Sequence, residues 1–172
     1  SKGLHVVRLK GGDPTLFGRL DEEIAAVEAA GIAFSIVPGI TAASAAVAAI
    51  GQSLTSRGRN AAVRFVTGHD MKGFADWRAL ARPGEVAAVY MGKRAARFVQ
   101  GRLLMHGADG ATPVTVVENA SRPGQRVIAT TLGALEPALS EAGLDGPALI
   151  LLGLAPRGAL ALVPSLVQEA AQ

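Results

Sequence analysis

The residues of this chain whose types and spacing could do chemistry fall in four short stretches. Lys10-Gly11-Gly12-Asp13-Pro14 follows an apolar run. Its glycines let backbone N–H and C=O groups come close to a ligand, and ligands of open α/β sheets sit at the carboxyl ends of strands. The same residues also make an ordinary turn. Pro38-Gly39 followed by Thr41-Ala42 offers the N–H groups of a helix start and a hydroxyl, a place suited to an anion and equally to a plain N-cap. In Leu54-Thr55-Ser56-Arg57-Gly58 the guanidinium could fork onto a carboxylate, although an arginine in such a stretch commonly just faces solvent. Tyr90-Met91-Gly92 ends another apolar run, where a flexible thioether could pack on a ligand or fill a core gap.

Several other chemistries are poor expectations. His5, His69 and His106 stand on different elements without ligand spacing, and neither a His-Glu-x-x-His pair, a Gly-x-Ser-x-Gly elbow nor a P-loop is present. With no cysteine, a disulfide framework and a thiolate metal site are both excluded, which fits a reducing compartment such as the cytoplasm. The net charge is +3, but the 17 basic residues are scattered and aromatics make up only 4%. A small polycarboxylate or phosphate therefore suits the charge at least as well as nucleic acid. The charged, strand-like start from Ser1 to Lys10 lacks the order of a signal peptide, and no apolar run reaches the length of a membrane span.

Something must hold these stretches in place, and 172 residues with 49% hydrophobic and 18% charged content can bury a sizeable core. Short β-branched runs alternate with alanine-rich helical ones, the pattern of an α/β fold. The spacing predicts strands at Leu4–Leu9, Ala33–Val37, Asn60–Thr67, Val86–Tyr90, Val114–Val117, Arg126–Ala129 and Ala148–Leu152. Helices are expected at Asp21–Ala30, Ala42–Ile50 with Thr41 as its N-cap, around Trp77, at Ala95–His106 and at Pro137–Ala142. The acidic turn Asp21-Glu22-Glu23 suits the positive end of the first helix. A boundary between two subdomains is expected near Gly51–Gly58, giving units 1–57 and 58–153. The alanine-rich tail 154–172 reads as a last helix or a frayed end.

The order of the pieces says more than any one of them. Val7-Arg8-Leu9-Lys10-Gly11-Gly12-Asp13-Pro14, Phe17-Gly18-Arg19, Glu22-Glu23, Val37-Pro38-Gly39-Ile40-Thr41, Leu54-Thr55 with Arg57-Gly58, Phe65-Val66-Thr67-Gly68-His69, Tyr90-Met91-Gly92, Val117-Glu118-Asn119 and Pro147-Ala148-Leu149 resemble the successive motifs of the tetrapyrrole methyltransferases. The series, covering nearly all of Leu4–Gly153, is most similar to the uroporphyrinogen-III C-methyltransferases, free-standing or as the C-terminal part of sirohaem synthase. The Arg-Leu-Lys-Gly-Gly-Asp-Pro stretch separates them from the precorrin-methylating relatives.

That resemblance implies a two-subdomain tetrapyrrole methylase fold, with a mostly parallel sheet in the first part and a mixed sheet in the second, usually assembled as a homodimer. It implies S-adenosylmethionine as cofactor, held by Gly11, Gly12, Asp13, Leu16, Thr41, Ala42, Met91, Ala120 and Ala148, and no metal. It assigns the tetrapyrrole to Arg19, Glu22, Arg57 and Met91, with a direct catalytic role for Arg19. The implied reaction is transfer of the sulfonium methyl to a pyrrole carbon and loss of a proton, done twice to turn uroporphyrinogen III into precorrin-2; positioning should dominate over acid–base chemistry. Departures are visible: Ala120 stands at a usual glycine, Leu20-Asp21 at a usual glycine pair, and Ser53 and Ser56 at a usual proline and histidine. The family's first strand, its Gly-Pro-Gly-Asp loop and the acid and lysine proposed for proton transfer have no counterpart in this sequence, which reads as a shortened chain. A precorrin methyltransferase, or a non-catalytic α/β domain that dimerises or binds an anion, are the alternative expectations.

Overall fold

β-branched and small apolar residues crowd the C-terminal part of the sequence, and there they build a sheet that is apolar on both faces. The computed structural model describes residues 3–69, 73 and 76–158. Its strands are β1 (Arg64–Thr67), β2 (Ala87–Tyr90), β3 (Pro113–Glu118), β4 (Arg126–Thr131) and β5 (Ala148–Leu152). They lie in the order β1-β2-β5-β3-β4. β1 and β2 run parallel, and β5 lies antiparallel to both β2 and β3, which pairs antiparallel with β4. This is the mixed sheet expected for the second part of the chain.

Alternation along the strands sorts side chains into two cores, because successive residues point to opposite faces. Ala87, Val89, Val114, Val116, Ile150 and Leu152 join one cluster with Trp77 and Leu80 of α3 (Trp77–Leu80), Val99 and Leu103 of α4 (Ala96–Met105), and Leu135 of α5 (Leu135–Ala142). Val86, Ala88, Val117, Leu149 and Leu151 join the other, with Ala43, Ala46, Val47 and Ile50 from α2 (Ala42–Ala49) and its end. Trp77 is further held edge-on to Phe98, their centroids 5.8 Å apart, with the Arg102 guanidinium over its ring.

The chain divides into two compact units, Ser1–Ala42 and Ala43–Gln172. The division falls earlier than the stretch Gly51–Gly58, because α2 and its end supply four of the buried residues of the second core and so belong with the sheet. Leu154 is buried there too, Gln52 bonds Ala155 O, and the Arg157 N–H reaches Ile50 O at 3.1 Å. The segment just after β5 is therefore pinned, while the rest of the expected tail helix, from Ala159 on, lies outside the described residues.

The first unit departs from expectation. It contains α1 (Leu20–Ala29), whose acidic first turn is as foreseen and whose end is closed by Gly31 at φ +64° with its N–H on Glu28 O. The expected strands Leu4–Leu9 and Ala33–Val37, and with them a parallel sheet in this part, do not form among the described residues. A strand needs a ladder partner for its N–H and C=O groups, and neither run has one among those residues; Val6, Leu9 and Val37 remain 79–81% exposed. Among the described residues no helix is long and apolar enough to cross a membrane.

Candidate functional site

In the first unit the Gly-Gly-Asp-Pro stretch is a tight corner with its own bonding. Asp13 accepts the Thr15 N–H at 2.9 Å and the Thr15 hydroxyl at 2.7 Å, and the Leu16 N–H bonds Asp13 O. The Thr15 backbone bond, then its hydroxyl, hold the Asp13 carboxyl below the usual carboxylate range, with a smaller contribution from the Gly39 N–H. The aspartate therefore stays charged at neutral pH. Gly12 adopts φ +76°, and the two corners touch backbone to backbone: a Cβ on Gly39 would overlap Gly12 O. Gly39→Ala is accordingly expected to force the corners apart at a penalty of about 1–3 kcal/mol. Amide exchange at Gly11, Gly12, Asp13 and Thr15 should accelerate while the sheet amides of the other unit keep their rates.

Arg19 lies at φ +54° just before α1 and forks onto Glu22, its Nε–H donating to Oε1 at 2.8 Å and its Nη2 to Oε2. That bond raises the Arg19 pKa and lowers that of Glu22, so both remain charged. Lys10 turns inward, bonding Gly18 O and pairing with Glu23 at 3.0 Å. Of the expected residues this unit thus gathers Gly11, Gly12, Asp13 and Leu16 on one turn, Arg19 and Glu22 as a bonded pair, and Thr41 and Ala42 at the start of α2. Thr15, whose N–H and hydroxyl hold the turn, lies outside the stretch the sequence marks.

The second unit has its own opening at the carboxyl ends of β1 and β2. A cavity of about 510 Å³ is lined there by Gly68, His69, Met91, Lys93, Arg94, Ala95, Phe98 and Gly146–Ala148. Gly68 bonds Tyr90 O at 2.7 Å and sits so close to the Met91 carbonyl that a Cβ would overlap it. Met91 is held at φ +52° and Asn119, at the end of β3, at φ +51°. Non-glycine residues in this region are strained by about 1–3 kcal/mol and gather at ligand sites. Among the described residues no carboxylate lines the cavity, whose charged groups are Lys93 and Arg94.

The cavity brings together Met91 and Ala148. Ala120 lies two residues past β3, half-buried against the α2 side of the sheet, and Arg57 is exposed on the turn closed by the Ser56–Asn60 bridge; neither lines it. Three bonds around the opening lie outside the roles assigned from the sequence. The Tyr90 hydroxyl accepts the Ala43 N–H at 3.1 Å, tying β2 to the first turn of α2. Lys93 Nζ is spent on Leu144 O at 2.6 Å. The Gly146-Pro147 wall is bonded to the end of β3, a link no sequence period reveals. Among the described residues no group of three His, Cys, Asp or Glu side chains could hold a metal ion.

The family model for tetrapyrrole (corrin/porphyrin) methylases matches residues 1–136. The chain belongs to the tetrapyrrole methylases. A siroheme synthase of Edwardsiella ictaluri is 48% identical over 153 residues, 88% of this chain and 33% of that protein. The chain thus spans about a third of the length of the curated relatives it matches. Among solved tetrapyrrole-modifying enzymes, a cobalt precorrin-4 methyltransferase of cobalamin biosynthesis superposes with a TM-score of 0.76 at 27% identity, covering 83% of this chain and 61% of its own. The uroporphyrin-III C-methyltransferase of Thermus thermophilus, solved with S-adenosyl homocysteine, superposes with a TM-score of 0.68 at 35% identity, covering 86% and 65%. The α/β fold with its mixed sheet is that of these methylases.

Proposed function

We propose that this chain is part of an S-adenosylmethionine-dependent C-methyltransferase that converts uroporphyrinogen III to precorrin-2. The observation carrying this reading is the cavity at the β1 and β2 ends, with Met91 and Ala148 in its walls, in a chain that matches the tetrapyrrole methylases over residues 1–136. Its volume of about 510 Å³ falls within the usual small-molecule range, and its glycine-rich rim allows backbone contacts. The residues present fit the cofactor on both counts. Met91 and Ala148 would hold it, with Gly11, Gly12, Asp13, Leu16, Thr41, Ala42 and Ala120 as further contacts.

S-adenosylmethionine supplies, when bound, an electrophilic methyl group on a positive sulfur. The chain's residues then have mainly to bind and orient. Uroporphyrinogen III carries eight carboxylates, and a guanidinium pairs two oxygens at once, so Arg19 and Arg57 are assigned to it. The Arg19–Glu22 fork already has the geometry of a bidentate arginine–carboxylate contact, with Glu22 in the acid's place. Homodimerisation and a cytoplasmic setting belong to the same proposal; the lack of cysteine fits the latter.

Titration calorimetry with S-adenosylhomocysteine tests it, and saturable heat at one site per chain is expected. No heat from the chain would count against the cofactor assignment. Transfer of a labelled methyl group to uroporphyrinogen III, but not to a precorrin acceptor, separates this activity from that of a precorrin methyltransferase.

A further inference from the structure

Glu118 is a carboxylate the proposed reaction does not use, and its side chain is 4% exposed. Burying a carboxylate is unfavourable unless strong partners replace water. Its partners are specific. Oε1 accepts the Gly146 N–H at 2.6 Å, and Oε2 faces Arg126 Nη1 at 3.4 Å. Arg126 in turn donates to Ala142 O, where α5 ends, at 2.6 Å. One residue on, the Asn119 N–H holds Pro147 O at 2.9 Å. The connection from α5 to β5 is therefore bonded at three points to the β3–β4 hairpin, and Glu118 joins two of them.

Gly146, Pro147 and Ala148 form one wall of the cavity that Met91 faces, whereas Glu118 does not line it. We propose that Glu118 is a positioning residue: its charge fixes the Gly146–Ala148 wall and through it sets the affinity for the cofactor. This rests on the cofactor reading given above. Strength comes from ionisation, since a hydrogen bond to a charged acceptor is about twice as strong as a neutral one. A glutamine could accept the same N–H but would lose that increment.

The experiment measures S-adenosylhomocysteine affinity by calorimetry, and the urea midpoint, for the full chain and three variants. Glu118→Ala is expected to weaken binding by at least about tenfold, and Glu118→Gln by about fivefold. Thr115→Val is the control: it removes another buried bond of β3, from the Thr115 hydroxyl to Leu154 O at 2.8 Å, away from the cavity. It should lower the midpoint and keep the affinity. Amide exchange at Gly146 and Ala148 should accelerate in the Glu118 variants only. Unchanged affinity in Glu118→Ala overturns the proposal, as does equal weakening by Thr115→Val. If Glu118→Ala does not fold, Glu118→Gln binding as tightly as the unaltered chain overturns it. No binding by the unaltered chain is a different failure, which overturns the cofactor reading and this inference with it.

Discussion

Arg19→Glu is expected to weaken binding of uroporphyrinogen III by at least about tenfold. Affinity for S-adenosylhomocysteine should stay within about twofold, as for independent contacts. The expectation comes from the geometry of the fork. Arg19, at a backbone φ of +54°, presents Nε and Nη2 side by side to both oxygens of Glu22. A substrate carboxylate that displaces Glu22 meets a donor pair already in register. Reversing the charge removes the donors and adds a carboxylate beside the acidic turn Asp21-Glu22-Glu23, so repulsion adds to the loss. Fluorescence quenching by the tetrapyrrole reads one affinity and calorimetry the other. Unchanged tetrapyrrole affinity would remove Arg19 from the substrate site.

The second large effect lies in the sheet. Leu151→Ala is expected to lower unfolding free energy by about 2–5 kcal/mol. Leu151 is fully buried on the central strand, opposite Ala88 on one side and Thr115 on the other. Its small neighbours Ala43, Ala46 and Ala88 have little side chain with which to close a void. Urea unfolding followed by far-ultraviolet circular dichroism checks the figure, and a loss well under about 1 kcal/mol would mean that α2 settles onto the sheet.

Alternation and alanine content made the second unit readable in advance, with every strand placed to within a few residues. There the local pattern and the burial agree: Val86, Ala88 and their alternates face opposite cores just as a period of two requires. The first unit misled for the opposite reason. Leu4–Leu9 and Ala33–Val37 have strand composition, but pairing is not a property of one segment, and no described neighbour completes either ladder. At the candidate site the glycine corners were visible because positive φ and close approach leave a compositional trace, as at Gly12 and Gly39. Long-range bonds leave none: the Tyr90 hydroxyl on Ala43, 47 residues away, and Glu118 on Gly146, 28 away, follow from topology alone. The same holds for the subdomain boundary, which depends on where α2 packs.

The strand order has a consequence in time. β5 comes last in the sheet's chain order, yet it sits between β2 and β3. Until Ala148–Leu152 leave the ribosome, the sheet exists only as two separate pairs, β1 with β2 and β3 with β4, each carrying an open edge. At about 5–20 residues per second, the β1–β2 pair waits several seconds for its seam to close. During that interval the facing edges of β2 and β3 lack their ladder partner, so chaperone demand should be set by the arrival of this one short strand.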